Sequence, residues 1–236
     1  MNKRGDFMQG MRDSVPIAIG YFSVSFSFGI MVAALGMSPM VAGLMSITNV
    51  TSAGQFAGLT LIANGTTFLE LILTQLVINL RYALMSLSLS QKLSEKIKWW
   101  QRMVMAFANT DEIFAVASTR EKEVTFAYME GLEILPILFW TLGSVAGAVA
   151  NNLLPASLQS ALGVALFAMF IAIILPPARE KMSVAFVIVL AIAISCVLYY
   201  VPVFDRISSG FCVIISTVLA AGVGSVLFPM SEEAGE

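Results

Sequence analysis

Apolar stretches recur along the chain at about 15–36, 40–63, 67–90, 103–118, 126–150, 157–176, 182–203 and 207–228. Most reach the roughly 20 residues that a helix needs to cross the hydrocarbon core. The pattern predicts an all-α polytopic membrane protein. Two stretches are interrupted. The second carries Asn49, Thr51, Ser52, Gly54 and Gln55, and the fourth carries Asn109, Thr110, Asp111 and Glu112 in a row at its centre.

The basic residues test whether these two cross the membrane, because cytoplasmic loops carry an excess of Lys and Arg. If every stretch crosses and the N-terminus is inside, Lys92, Lys96, Lys98, Arg102 and Arg206 lie outside, against seven inside. If both interrupted stretches return to the side they entered, eleven basic residues become cytoplasmic and Arg206 alone stays outside. The second arrangement fits far better. Half-helices of about 11 residues also reach only half the core, at 1.5 Å per residue. The expectation is about six spans plus two re-entrant or broken helical hairpins meeting near the midplane. Opposed hairpins of this kind occur in inverted-repeat transporters, although the sequence shows no convincing repeat.

Composition supports a lipid environment: 12% of residues are charged, against about 25% in soluble domains. A net charge of −2 gives no reason to expect nucleic acid. There is no histidine, and Cys196 and Cys212 lie in apolar runs, so neither a metal centre nor a disulfide framework is expected. No cofactor is implied, and without an activated nucleophile or an ATP-binding loop the chain does not read as an enzyme. The expected organisation is a single integral membrane domain over 1–236, with a cytoplasmic N-terminus at 1–14 and an acidic cytoplasmic tail at 229–236.

Arg81 carries the sharpest signal. It sits within the apolar stretch from Phe68 to Leu89, where a cation costs about 2.5–3.5 kcal/mol on insertion scales. Gln75, Asn79, Tyr82 and Ser86 recur beside it at helical spacing. A guanidinium binds a carboxylate bidentately, so this stripe reads as a substrate-binding face, with a structural ion pair to a buried acid as the plain alternative. In the second stretch a break near Thr51–Gly54 would expose the N-terminus of a half-helix from about Ala53, favouring an anion, with Ser52 and Gln55 adding side-chain donors. Asn109, Thr110, Asp111 and Glu112 are candidates for binding an ammonium or a coupling proton. Glu70, Glu130 and Glu133 read as interfacial, Gly143 and Gly147 as a close helix contact, and Trp99 and Trp100 as an interfacial belt.

Three motifs in order, SAGQFAG at 52–58, INLRYALMSLSLS at 78–90 and NTDEIFAVA at 109–117, together with LGMSP at 35–39, resemble the AzlC-type family of bacterial branched-chain amino acid exporters. The resemblance implies an inner-membrane secondary exporter of valine, leucine, isoleucine and methionine, partnered by a small AzlD-like membrane subunit. By motif position it gives functional roles to Gln55, Asn79, Arg81, Asp111 and Glu112. Two departures stand out. Thr51-Ser52 replaces the family's usual alanine-glycine pair, and Tyr82 replaces a common histidine after the arginine. The rival readings are a non-transporting assembly subunit and a channel for another small solute.

Overall fold

A computed structural model describes residues 3–151, 171, 174–204 and 207–229. Among them the protein is all-helical: α1 (Lys3–Ala34), α2 (Pro39–Thr48), α3 (Ala53–Ala63), α4 (Phe68–Ser90), α5 (Trp99–Phe107), α6 (Asp111–Thr119), α7 (Phe126–Ala150), α8 (Met182–Tyr200) and α9 (Ser209–Leu227). Of these, α1, α4, α7, α8 and α9 are long and apolar enough to cross a membrane. The expected span at 157–176 lies almost wholly outside the described residues, as do Arg206 and residues 230–236 of the tail. The chain divides into two compact units, residues 1–59 with 78–166, and residues 60–77 with 167–236.

The frame of the first unit is α1 packed along α7. The two helices run parallel: Ser14 meets Gly131, Tyr21 meets Trp140, and Gly29 meets Ser144 and Ala148. Small residues allow this approach, as is usual between membrane helices. A methyl on Gly29 would lie 1.9 Å from the Ser144 carbonyl oxygen, and one on Gly147 would lie 2.0 Å from that of Phe26. The Gly143–Gly147 pair therefore works as its spacing predicts.

Both interrupted stretches are broken helices, and both reverse. From the turn at Gly36 (φ +75°), α2 runs back along α7. Gly43 faces Val145, Ser46 bonds Ser144 at 2.6 Å, and Val50 joins the cluster of Tyr21 and Trp140. α3 then retraces the path, since Gln55 returns to Ser46 and Phe56 stacks on Phe28 at 5.2 Å. The second hairpin comes from the opposite end. Trp100 packs on Phe126, Thr110 reaches Tyr21, and Arg120 returns to Asp6 at 3.1 Å. The loop at 91–98 pairs with that at 120–125 through Ser94 and Val124 (3.0 Å) and Lys92 and Val124 (3.0 Å). Lys92 also bonds the Ser118 carbonyl. Lys3, Arg4, Lys92, Lys96, Lys98, Arg120 and Lys122 thus gather at one end of the unit, which we call the basic end.

An inverted arrangement results. α1 is followed by a hairpin entering from its C-terminal end, and α4, running the other way, is followed by another entering from the basic end. Each long helix sends a tyrosine to the other's hairpin: Tyr21 to Thr110, and Tyr82 to the Thr51 carbonyl at 3.1 Å.

At the tip of the first hairpin Ser52 has φ +47°, the left-handed region. A side chain there costs about 1–2 kcal/mol, so the turn favours glycine. Ser52→Gly is expected to raise the thermal midpoint of the detergent-solubilised protein, and Ser52→Val, β-branched, to lower it by several degrees on a loss of about 1–2 kcal/mol.

In the second unit α8 and α9 form an antiparallel pair, with Ser195 on Ser216 (3.0 Å) and Phe186 on Phe228 (5.6 Å). Glu70, in the first turn of α4, is 4% exposed, and its Oε1 accepts from Ser208 Oγ (2.5 Å) and from the Gly210 N–H (3.0 Å) at the start of α9. A carboxylate at a helix N-terminus satisfies donors that would otherwise be orphaned. Glu133 in the first unit is likewise buried, at 5% exposure, because α7 begins at Phe126 and carries it two turns into the bundle.

Candidate functional site

The two hairpin tips converge where Tyr21 and Trp140 cross. Arg81, on α4, pairs through Nη1 with Asp111 Oδ2 at 2.8 Å. Its Nη2 donates to the Tyr82 hydroxyl at 3.2 Å, and that hydroxyl donates to the Thr51 carbonyl. The guanidinium also lies over the Tyr82 ring, 4.9 Å from its centre. One arginine therefore joins α4 to both tips. The pair is half open, with side-chain exposures of 42% for Arg81 and 38% for Asp111.

α6 begins at Asp111, with Thr110 at its cap position. Asp111 and Glu112 thus occupy its first turn, where the helix dipole favours acids. Being adjacent they diverge. Asp111 faces Arg81, whereas Glu112 accepts from the Tyr21 hydroxyl at 2.6 Å, which also lies 2.5 Å from Thr110 Oγ1. Asn109 Nδ2 donates to Ser86 Oγ at 3.1 Å, while its buried Oδ1 has no partner. At the other tip Thr51 donates to Asn49 Oδ1 at 2.5 Å. A methyl on Gly54 would lie 2.9 Å from the Asn79 amide, so Gly54 brings α3 against α4 at this level.

Toward the basic end, beyond Ser86 and Asn109, lies a cavity of about 430 Å³ that neither Arg81 nor Asp111 lines. Ser86 and Asn109 give it a polar corner and Arg102 a charged one, while Leu87, Leu89, Met103 and Met105 are among its apolar walls. A polar head held at Arg81 and Asp111 would have an aliphatic compartment next to it.

The structure thus brings together Arg81, Tyr82, Ser86, Asn109, Thr110, Asp111 and Glu112, with Ser52, Gly54 and Asn79 at the neighbouring tip. Two candidates stand apart. Gln55 is fully buried behind the tip, where its amide accepts from Trp140 Nε1 (2.7 Å) and donates to Ser46 (2.7 Å). Both ends of that amide are occupied, so it braces the first hairpin against α7. Gln75 belongs to the second unit. The sequence reading missed Tyr21 and Trp140. Each is an aromatic with one polar atom inside an apolar run, and buried Tyr O–H and Trp N–H groups usually find partners; nothing in the sequence says which.

Comparison with known proteins gives a consistent picture. The AzlC protein family matches residues 16–154, which contain all three motifs of the tips and α4. The chain is 30% identical over 206 residues to the inner membrane protein YgaZ of Escherichia coli K12, covering 84% of each. It is 31% identical over 183 residues to an uncharacterized membrane protein of Archaeoglobus fulgidus, covering 77% of this chain and 80% of the other. It is 27% identical over 154 residues to an uncharacterized membrane protein of Helicobacter pylori J99, covering 62% and 67%. No solved structure matches. This chain belongs to the AzlC family, membrane proteins linked to amino-acid transport.

Proposed function

We propose that this protein exports branched-chain amino acids, namely valine, leucine, isoleucine and methionine as a further aliphatic substrate, across the bacterial inner membrane. It does so as a secondary transporter together with a small AzlD-like membrane subunit. The observation that carries the reading is the half-open Arg81–Asp111 pair, set between two opposed hairpin tips, with a mainly apolar cavity beyond Ser86 and Asn109. An amino acid presents both charges of that pair in one small molecule. Its carboxylate would take Arg81 from Asp111, and its ammonium would take Asp111 from Arg81, so the empty site holds its charges satisfied and opens them by exchange. The aliphatic side chain enters the cavity of Leu and Met. A pocket of this kind separates substrates differing by one methylene by only about 1–3 kcal/mol, so selectivity among the aliphatic amino acids is shallow. The basic end and both termini face the cytoplasm in this reading, as the positive-inside rule directs.

The test is efflux of labelled valine from preloaded, dipeptide-fed cells lacking their own exporters. The chain is expressed with and without its small membrane partner. Efflux that requires both proteins supports the proposal. Absence of efflux for all four amino acids, with both proteins present in the membrane, refutes it and leaves an assembly subunit or another solute.

A further inference from the structure

Glu133 has no part in the site described so far, yet it is an ionisable side chain enclosed within the first unit. It is 5% exposed, and its Oε1 has no hydrogen-bond partner. On α7 it is flanked four residues away by Met129, in the apolar cluster with Ile113 and Leu132, and by Ile137, packed against the cluster of Tyr21, Val50 and Trp140. It therefore lies between the cluster nearer the basic end and the one at the tips. Seven residues separate it from Trp140, about 10 Å along the helix.

Among the described residues, the helices packed on α7 bring no cation to it. On α1, Lys3, Arg4 and Arg12 are exposed; Asp6 is held by Arg120 and Thr125, Asp13 by Tyr128, and Tyr21 by Glu112. On α5, Arg102 is exposed, and on α6, Asp111 is paired with Arg81. α2 has no ionisable residue. The charge acting on Glu133 is Glu130, one turn earlier and of the same sign. A carboxylate in an apolar interior needs a cation or water beside it. Ionisable groups of this kind inside membrane bundles mark proton relays.

We propose that Glu133 is the proton-carrying group of the transport cycle, and that export proceeds in exchange for a proton moving inward. This rests on the transport reading above. A proton joins a carboxylate oxygen of Glu133 when water reaches it from outside, and leaves to water when the basic end opens. No bond to the substrate forms or breaks. Arg81 and Asp111 hold the amino acid, and Glu133, two turns from Trp140 along α7, holds the proton.

The test uses the protein with its partner, reconstituted in proteoliposomes as wild type, Glu133→Gln and Glu133→Asp. Glu133→Gln keeps size and burial and removes only the titratable proton. Valine-for-valine exchange at equal pH on both sides is expected to persist in Glu133→Gln. Valine flux driven by a pH gradient is expected to fall to the level seen without a gradient, with Glu133→Asp recovering part of it. Gradient-driven flux equal to wild type in Glu133→Gln overturns the inference. Absence of exchange in the wild type would instead count against the transport reading. A second measurement decides the inference independently of substrate. An infrared pH titration should show a protonated-carboxyl band in the wild type that is missing from Glu133→Gln; identical titrations in the two proteins overturn it.

Discussion

Arg81→Ala is expected to lower valine efflux by about two orders of magnitude at unchanged membrane abundance. Truncating one partner of a desolvated charge pair costs about 2–5 kcal/mol, and a half-open pair belongs toward the low end. The loss has two parts. The substrate carboxylate loses its counter-charge, and Asp111 is left at a helix N-terminus with no cation beside it. The Tyr82 hydroxyl loses a donor but keeps the Thr51 carbonyl. Abundance should hold, because ion pairs this exposed contribute only about 0–1 kcal/mol to stability. Arg81→Lys keeps the charge but loses the planar fork that matches a carboxylate, so it should fall between wild type and Arg81→Ala. Equal loss of folded protein in Arg81→Lys, Arg81→Ala and Asp111→Asn would instead mark the pair as a structural tie between α4 and α6. Efflux measured against membrane abundance by immunoblot separates the two outcomes.

Gly147→Ala should damage the fold rather than the chemistry. The added methyl would lie 2.0 Å from the Phe26 carbonyl oxygen and 2.8 Å from its carbon. These are backbone atoms, so α1 and α7 must separate instead of a side chain turning aside. Overpacking of this kind costs about 1–3 kcal/mol and occasionally more, and here the frame that carries both hairpins moves. A clear drop in thermal midpoint and in detergent-stable yield is expected. Gly222→Ala on α9 is the control, since a methyl there meets nothing within 4 Å, and it should leave the midpoint unchanged or raise it slightly through helix propensity. Equal behaviour of the two variants would contradict the packing of α1 on α7.

The hairpins were legible in the sequence because they break two rules at once. Polar residues stop the apolar run near its middle, and a full crossing would scatter the basic residues to both sides. The breaks fall at 49–52 and 108–110, where those residues stand. Arg81 was legible for a similar reason, as a cation at a depth where lipid gives no counter-charge. Its partner was not, because Asp111 and Glu112 are adjacent and only the start of α6 fixes which of them turns toward α4. Glu133 is legible as lying toward one end of a span, but not as enclosed there by protein. Its burial comes from α1, α5 and α6 closing over the first half of α7, a tertiary fact with no signature in spacing. Ser52 shows the converse case: the sequence carries a side chain where the backbone makes the left-handed turn that a glycine would favour.

The central claim is that Arg81 and Asp111, between the two hairpin tips, are the amino-acid binding groups. Titration calorimetry of valine into the purified protein with its partner, as wild type and as Arg81→Ala, tests this most directly. Saturable heat in the wild type and none in Arg81→Ala is the predicted result. Binding of equal affinity in both proteins would contradict it.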